Sequence, residues 1–263
     1  MSKDQFVIAC VESAESAAIV LPWARHFATQ LNHKGLFALH VNADGGTPEW
    51  LKTLGVPYVC LRGDWHTAID GLPTAFNGIL AVAAVVPSAP RSSLTHPKTL
   101  LREFKGCKTA YLVVDGTMPA SEDQLNTNHT ALTMTHRREG KEKLVWASYL
   151  ARFLNSRITI AHPDYSDGDL RMRWRNNMRF VDKMFNPLNI QYNTSILSQS
   201  TQVDIAALEQ LQPNLLIART TDTRDRDFVD WLLPLPELRL LTHPSHIPLL
   251  FLNPRDDLYI LCD

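Results

Sequence analysis

The stretch LPWARHFATQLNHKGLFALHV, residues 21–41, has a pattern that recurs in LVWASYLARFLNSRITIAHP, residues 144–163. Each stretch combines apolar residues at helical spacing with a short apolar strand that ends at a histidine. The aligned pairs are Trp23 and Trp146, Ala24 and Ala147, Ala28 and Ala151, Leu31 and Leu154, Asn32 and Asn155, and, after one skipped residue, His40 and His162. An internal repeat of this length predicts two similar halves.

The ends of the two halves also correspond. KTLLREFKGCKTAYLVVD, residues 98–115, aligns without a gap with PELRLLTHPSHIPLLFLN, residues 236–253. Each reads as a helix, a break at Gly106 or Pro244, and a buried strand. The polar, turn-rich stretch 115–129 lies between the halves and is typical of a linker. We therefore predict domains at 1–125 and 126–263, the second with a C-terminal extension that could add an edge strand.

Strands alternate with helices along both halves, and several strands are continuously apolar, which favours parallel sheets covered on both faces. The predicted fold class is α/β, with two doubly wound, five-stranded, Rossmann-like domains in tandem. The first helix is expected to begin at Ser13, which has the side chain of a good N-cap. Pro22 lies inside that helix, so the helix either begins late or kinks there.

Composition excludes several classes of protein. Hydrophobic residues make up 45% and charged residues 20%, as in ordinary globular proteins, and the net charge of -1 gives no attraction to nucleic acid or membrane. The longest apolar run, residues 79–86, is too short to span a bilayer, and no signal-peptide core follows the N-terminus. We expect a cytoplasmic protein.

The four cysteines of the chain are too widely spaced for a zinc site. We expect them to be small buried residues.

The organisation resembles a tandem universal stress protein. The resemblance rests on FVIACVESAES (6–16), on residues 131–163 with their strand, helix and second strand, and on HPSHIPLLFLNP (243–254). It implies a fold related to the adenine nucleotide α-hydrolases and a stress-associated regulatory role. In the ATP-binding branch of that family, a glycine-rich loop follows the fourth strand and holds phosphate, because glycine lets backbone N–H groups approach closely.

Neither corresponding loop of this chain contains glycine. The loop of the first half is PSAPRSSLTHP (87–97), and that of the second is ARTTDTRDRDFVDWLLPLP (218–236). An acid after the first strand contacts adenine in that branch, and Glu12 stands there in the first half, whereas His136 or Arg137 takes that place in the second. We therefore expect no cofactor bound in the usual manner. If one is bound, the resemblance implies ATP or AMP.

Candidate ligand-binding residues lie after the predicted strands: Glu12, Ser13, Arg91, Ser92, Ser93, His136, Arg137, Arg138, Arg219, Thr220 and Thr221. The turn THRREGKEK, residues 135–143, is either an anion site built from guanidinium groups and helix N-terminal amides or a solvated polar turn. If neighbouring parallel strands carry both loops, Arg219 and the two threonines would lie near this turn.

No catalytic or metal-binding set of residues is found in the sequence. There is no HExxH, no GxSxG and no Ser-Gly-Gly-x-Asp-Ser loop. His40 and His162 are interpreted as hydrogen-bonded structural residues. The arginine-rich segment 168–185 is either a nucleic-acid-binding helix or an amphipathic helix with Trp174 and Met178 on the sheet and arginines in water. The near-neutral net charge favours the second.

Three functional classes follow. The preferred one is a non-catalytic, ATP-independent stress-protein scaffold that acts on an unknown protein partner. The second is a divergent adenine-nucleotide or anion sensor with loops 87–97 and 218–230 at its site. The third is a slow nucleotide hydrolase that depends on a residue such as His136. We expect a homodimer or an internal pseudo-dimer, with neither nucleic acid nor membrane as partner.

Overall fold

The computed structural model describes residues 5–118, 121–137, 141–197, 205–221, 236–243 and 245–254. They form two compact units. The first contains the described residues through Leu125 together with Leu241–Asn253, and the second contains those of Asn126–Leu240. Arg138, most of loop 218–230 and the extension after Pro254 lie outside the described residues, so the interpretations placed on them stay predictions.

The sheet of the first unit has the order β3-β2-β1-β4-β5-β10. Its first five strands run parallel, and β10 is antiparallel to β5. The strands are β1 (Phe6–Cys10), β2 (Gly35–Asn42), β3 (Tyr58–Arg62), β4 (Gly78–Val85), β5 (Ala110–Asp115) and β10 (Leu249–Leu252). The helices are α1 (Ala14–Gln30), α2 (Glu49–Lys52), α3 (Trp65–Asp70), α4 (Leu72–Ala75) and α5 (Pro97–Glu103), with a 3₁₀ turn at Glu122–Gln124.

The second unit contains four described parallel strands in the order β9-β6-β7-β8. They are β6 (His129–Thr133), β7 (Arg157–Pro163), β8 (Tyr192–Leu197) and β9 (Leu215–Arg219). The remaining helices of the chain are α6 (Lys141–Phe153), α7 (Gly168–Phe185), α8 (Ile205–Gln210) and α9 (Pro236–Thr242), with a 3₁₀ turn at Asn186–Leu188. The order β8-β7-β6-β9 in this unit has the same sequence of connections as β3-β2-β1-β4 in the first.

The predicted fold class is confirmed as a mostly parallel α/β sheet with alternating strands and helices. The central strands are buried on both faces, which explains their continuous apolar sequences. Val7, Ile8 and Ala9 of β1 are fully buried, as are Leu80–Ala83 of β4. None of the described helices is long and apolar enough to cross a membrane.

Helix α1 begins where its sequence predicts. Ser13 accepts a hydrogen bond from the Ser16 amide, and Ser16 Oγ accepts one from the Ser13 amide, which completes a capping box. The alternative of a late start at Pro22 is wrong, because the helix runs without interruption from Ala14 to Gln30 with that proline inside it. The early start places Glu12, the residue just before the cap, at the carboxyl end of β1.

Candidate functional site

Glu12 bridges from β1 to the loop that follows β4. Because β1 and β4 are neighbours in the parallel sheet, residue 12 and loop 87–97 leave the same edge. One carboxylate oxygen of Glu12 accepts the amide of Leu94 at 2.7 Å, and the other accepts the hydroxyl of Ser93. Ser93 Oγ also lies 2.7 Å from Thr95 Oγ1 and accepts the Thr95 amide. The structure thus brings together two predicted candidates, Glu12 and Ser93.

This carboxylate uses the donors that a bound anion would use. A backbone N–H and a serine hydroxyl are typical ligands of phosphate oxygens, and both are directed at the Glu12 side chain. The Glu12 amide is itself held by Ser16 Oγ at 3.0 Å. The negative charge at this loop is therefore supplied by the chain and is fixed in place through the cap of α1.

The other candidates of the first unit have different surroundings. Ser13 serves as the N-cap of α1. Arg91 and Ser92 are exposed, and the Arg91 carbonyl accepts the hydroxyl of buried Thr99 at 2.6 Å. These contacts shape the loop backbone, while the side chains of Arg91 and Ser92 face solvent.

The loop after β9 in the second unit contains a similar arrangement. Thr221 donates both its amide, at 3.2 Å, and its hydroxyl, at 2.9 Å, to the carboxylate of Glu237. Glu237 is only 5% exposed and lies in the first turn of α9. Sequence reasoning missed this residue, although an acid directly after the helix-starting Pro236 was an available signal. Thr220 is buried and Arg219 half-buried beside it.

Both loops after a fourth strand therefore hold an internal carboxylate through one backbone N–H and one hydroxyl. The acids come from different places, since Glu12 follows the first strand of its unit and Glu237 begins the helix after the loop. In each loop, therefore, one backbone N–H and one hydroxyl of the described residues are used by a carboxylate of the same chain.

The turn that begins at Thr135 follows β6. Because β6 is the neighbour of β9, this turn leaves the same sheet edge as Arg219, as predicted from the fold. The His136 amide donates to the Tyr165 hydroxyl at 2.9 Å, and His136 Nδ1 lies 3.2 Å from that oxygen. Asn177 of α7 donates to the carbonyls of Thr135 and Arg137 at 2.8 and 2.9 Å. The backbone of the turn is therefore fixed by the neighbouring helix.

A buried lysine lies close to this turn. Lys143 is only 2% exposed, and its Nζ donates to the carbonyl of Thr133 at 2.5 Å, at the end of β6. It brings a positive charge to the base of the turn that carries His136 and Arg137. Sequence reasoning missed Lys143 because a lysine in the first turn of a helix normally faces water.

His40 and His162 occupy corresponding positions and have corresponding contacts. Each donates from Nδ1 to a backbone carbonyl, His40 to Val11 at 2.8 Å and His162 to Pro163 at 2.9 Å. Each also contacts a tryptophan ring, with centroids 5.3 Å apart for Trp50 and 4.1 Å apart for Trp174. The hydrogen-bonded structural interpretation of both residues agrees with these contacts.

The described residues contain no group of three or more His, Cys, Asp or Glu side chains arranged to hold a metal ion. Cys10 and Cys107 are buried, as the composition suggested, and Cys60 is partly exposed. Burial, with a smaller effect from Cys107, raises the pKa of the Cys10 thiol far above its usual value. Burial likewise raises the pKa of Cys107. Neither thiol has the features of a nucleophile.

No family model and no curated protein sequence matches this chain. Solved structures do match. A universal stress protein from Archaeoglobus fulgidus is 10% identical, with 96% of this chain and 97% of that chain covered at a TM-score of 0.61. A putative universal stress protein from Pseudomonas aeruginosa is 14% identical, with 99% of this chain and 96% of that chain covered at a TM-score of 0.61.

The fold is that of the universal stress proteins. A third structure, a Pseudomonas aeruginosa protein described as functionally unknown, is 13% identical and matches at a TM-score of 0.60. At these identities the likeness concerns the fold alone, so the chemistry of the loops has to be argued from this chain's own residues.

Proposed function

We propose that this chain is a non-catalytic, stress-associated regulatory or binding protein of the universal stress protein type that does not hold ATP in the usual manner. The fold likeness, which spans 96% or more of the chain, supports the type. The observation that carries the second half of the proposal is the Glu12 carboxylate, which accepts the Ser93 hydroxyl and the Leu94 amide.

Charge as well as space opposes the binding of a phosphate at these loops. A phosphate at loop 87–97 would have to replace Glu12 on the same two donors, and it would then lie beside a carboxylate of like charge. The Glu237 carboxylate presents the same obstacle at Thr221. Neither loop contains glycine, the residue that lets backbone N–H groups approach a phosphate most closely.

The tandem-repeat organisation is part of the proposal. The equal connection order of β3-β2-β1-β4 and β8-β7-β6-β9 supports two copies of one domain type. We place them at 1–125 and 126–263, with Leu241–Asn253 of the second copy packed in the first unit through the pairing of β10 with β5. Such a chain would present surfaces to a protein partner, and pairing with a second copy through a sheet edge remains part of the expectation.

Equilibrium dialysis against radiolabelled ATP with Mg²⁺ tests the nucleotide half of the proposal. We expect no saturable binding by the wild-type protein up to millimolar nucleotide. Saturable binding that Arg91→Ala or Arg219→Ala weakens would contradict the proposal and favour the nucleotide sensor. Lys105→Ala, at an exposed lysine in the first unit, is the matched control, because it removes one positive charge as the arginine variants do.

The stress-associated half requires a cellular test. Deletion of the gene should lower survival under at least one of starvation, heat or oxidant exposure, and a plasmid copy should restore it. Unchanged survival under all three would contradict this half and leave the nucleotide result unaffected.

A phosphate-type anion sensor in the second unit is the second candidate function. It is favoured by the buried Lys143 ammonium at the end of β6, next to the turn with His136 and Arg137. Melting temperatures in phosphate and in chloride of equal ionic strength test it. A rise specific to phosphate that Arg137→Ala abolishes would support this candidate, and equal melting temperatures would reject it.

A further inference from the structure

Helix α7 is fixed to the second unit along one side only. All eighteen residues of the helix are described, and only Val181 and Phe185 are buried. Arg171 donates through Nε and Nη2 to the Tyr165 carbonyl at 2.9 and 2.6 Å, and Asn177 donates to the turn after β6. The sequence-based interpretation of arginines facing water therefore holds for part of the helix, while Arg171 has a structural contact.

The opposite side presents a row of basic residues. Met172, Arg175, Arg179 and Lys183 are separated by three, four and four positions, so they share one helix face, which we call the α7 stripe. All four side chains are exposed, Met172 by 56%. By the helical rise of 1.5 Å per residue, the stripe is about 16 Å long.

The positive charges of the stripe are not neutralised by neighbours. Within the described part of the chain, Arg175, Arg179 and Lys183 make no ion pair, and Arg179 donates only to the neutral side chain of Asn176, at 3.3 Å. The nearest acid along the helix, Asp182, accepts the hydroxyl of Tyr192 at 2.7 Å. Like charges four residues apart destabilise a helix, so the chain retains an unfavourable arrangement that an external anionic surface would relieve.

The chemistry of the stripe fits carboxylates on a protein. Guanidinium groups pair with carboxylates in a bidentate manner, and acids four residues apart on a helix repeat at about 6 Å, the same spacing as the stripe. Exposed Met172 extends the row, and methionine and arginine are both enriched in protein interfaces. Nucleic acid is disfavoured, because three cations on a chain of net charge -1 make a small basic footprint.

We propose that the α7 stripe is a docking surface for an acidic helical segment of a partner protein. The carboxylates of that segment pair with Arg175, Arg179 and Lys183, and an apolar side chain of the segment contacts Met172. This assignment gives a place and a chemistry to the partner of the scaffold, and it does not depend on whether the loops bind nucleotide.

Fluorescence anisotropy with a labelled 15-residue helical peptide tests the proposal. The peptide carries glutamate at every fourth position and a leucine at one end, and a scrambled peptide of equal composition is the control. We expect saturable binding of the patterned peptide that is at least about tenfold tighter than that of the scrambled one and that weakens as salt increases.

Matched variants separate geometry from total charge. Arg179→Glu should weaken binding by at least about tenfold. The control is Arg173→Glu, at an exposed arginine that lies off the stripe on the same helix. It should change binding by less than about threefold. Equal effects of stripe and off-stripe reversal, equal binding of both peptides, no binding, or tighter binding of a 15-nucleotide single-stranded DNA would each overturn the proposal.

Discussion

At the scale of single residues, the contact on which the proposal rests is that between the Glu12 carboxylate and the loop after β4. The two carboxylate oxygens of Glu12 accept one amide and one hydroxyl of that loop, and its own amide is tied to Ser16. The sequence predicted Glu12 and Ser93 separately as candidates for a ligand. It could not show that they bind each other, because that contact depends on the neighbouring positions of β1 and β4 and on the path of the loop.

A double-mutant cycle tests this contact. Glu12→Ala removes the acceptor for two loop donors and should lower the free energy of unfolding by about 1–3 kcal/mol, since the Leu94 amide loses its partner. Ser93→Ala should lower the free energy of unfolding by less. Urea unfolding of both single variants and the double variant should give a coupling of about 0.5–1.5 kcal/mol. Strictly additive losses would show that the two side chains do not interact.

The cysteines give a second prediction at this scale. In a Cys262→Ser background, the native protein should react with one equivalent of a thiol reagent, at the partly exposed Cys60. Cys10 and Cys107 should react only after unfolding, because burial raises the pKa of both thiols. Rapid labelling of more than one cysteine per native chain, identified by mass spectrometry of the digested protein, would refute this assignment.

At the scale of helices and strands, the sequence predicted most of the fold. Buried strands are continuously apolar and α1 has a serine cap, so composition and spacing sufficed for both. Two contacts that position the loops were not predictable, namely those of Glu237 with Thr221 and of Lys143 with Thr133. Each connects residues ten or more positions apart through a helix that follows the strand, and local patterns carry no information about such pairs.

Asn253, which follows β10, stabilises the end of α5 in the first unit. Its buried amide donates to the carbonyls of Phe104 and Cys107 at 2.7 and 2.9 Å. Asn253→Ala should therefore lower the free energy of unfolding by about 2–4 kcal/mol, because two carbonyl acceptors lose their shared donor in the core. Denaturant unfolding provides the measurement, and Asn193→Ala on the exposed part of β8 is the control. Equal stability of both variants would contradict the prediction.

We predict that His129 makes the stability of the second unit depend on pH. It donates to the Gln212 carbonyl at 3.2 Å, and its other ring nitrogen lies 2.9 Å from the Thr159 hydroxyl. Burial lowers the pKa of His129 below its usual value; the Gln212 contact opposes this effect and the Arg157 charge adds to it.

The direction of the pH dependence of stability follows from this lowered pKa. As pH falls below about 6.5, the unfolded histidine binds a proton before the folded one does, so the protein loses stability on the acid side. Urea midpoints between pH 7.5 and 5.5 should decrease, and His129→Gln should show a shallower decrease. An unchanged slope in this variant would exclude His129 as a source of the pH dependence.

At the scale of the whole molecule, the chain has the fold of the universal stress proteins, and neither 87–97 nor 218–236 contains a glycine. The absence of glycine from both loops was visible in the sequence. The internal carboxylates at Ser93 and Thr221 were not, and our proposal that the loops do not hold phosphate rests on them. The fold was therefore more predictable than the site, since side-chain pairing in loops depends on tertiary neighbours.

Whether the loops hold ATP is best measured by the melting temperature with and without millimolar Mg²⁺-ATP, on protein freed of carried-over nucleotide. A ligand at about 100 times its dissociation constant would add about 2.7 kcal/mol to stability, enough to raise the melting temperature by roughly 5 °C or more. We predict a change within about 1 °C, since Glu12 and Glu237 already use the loop donors. A rise of several degrees with ATP, absent with Mg²⁺ alone, would contradict the account.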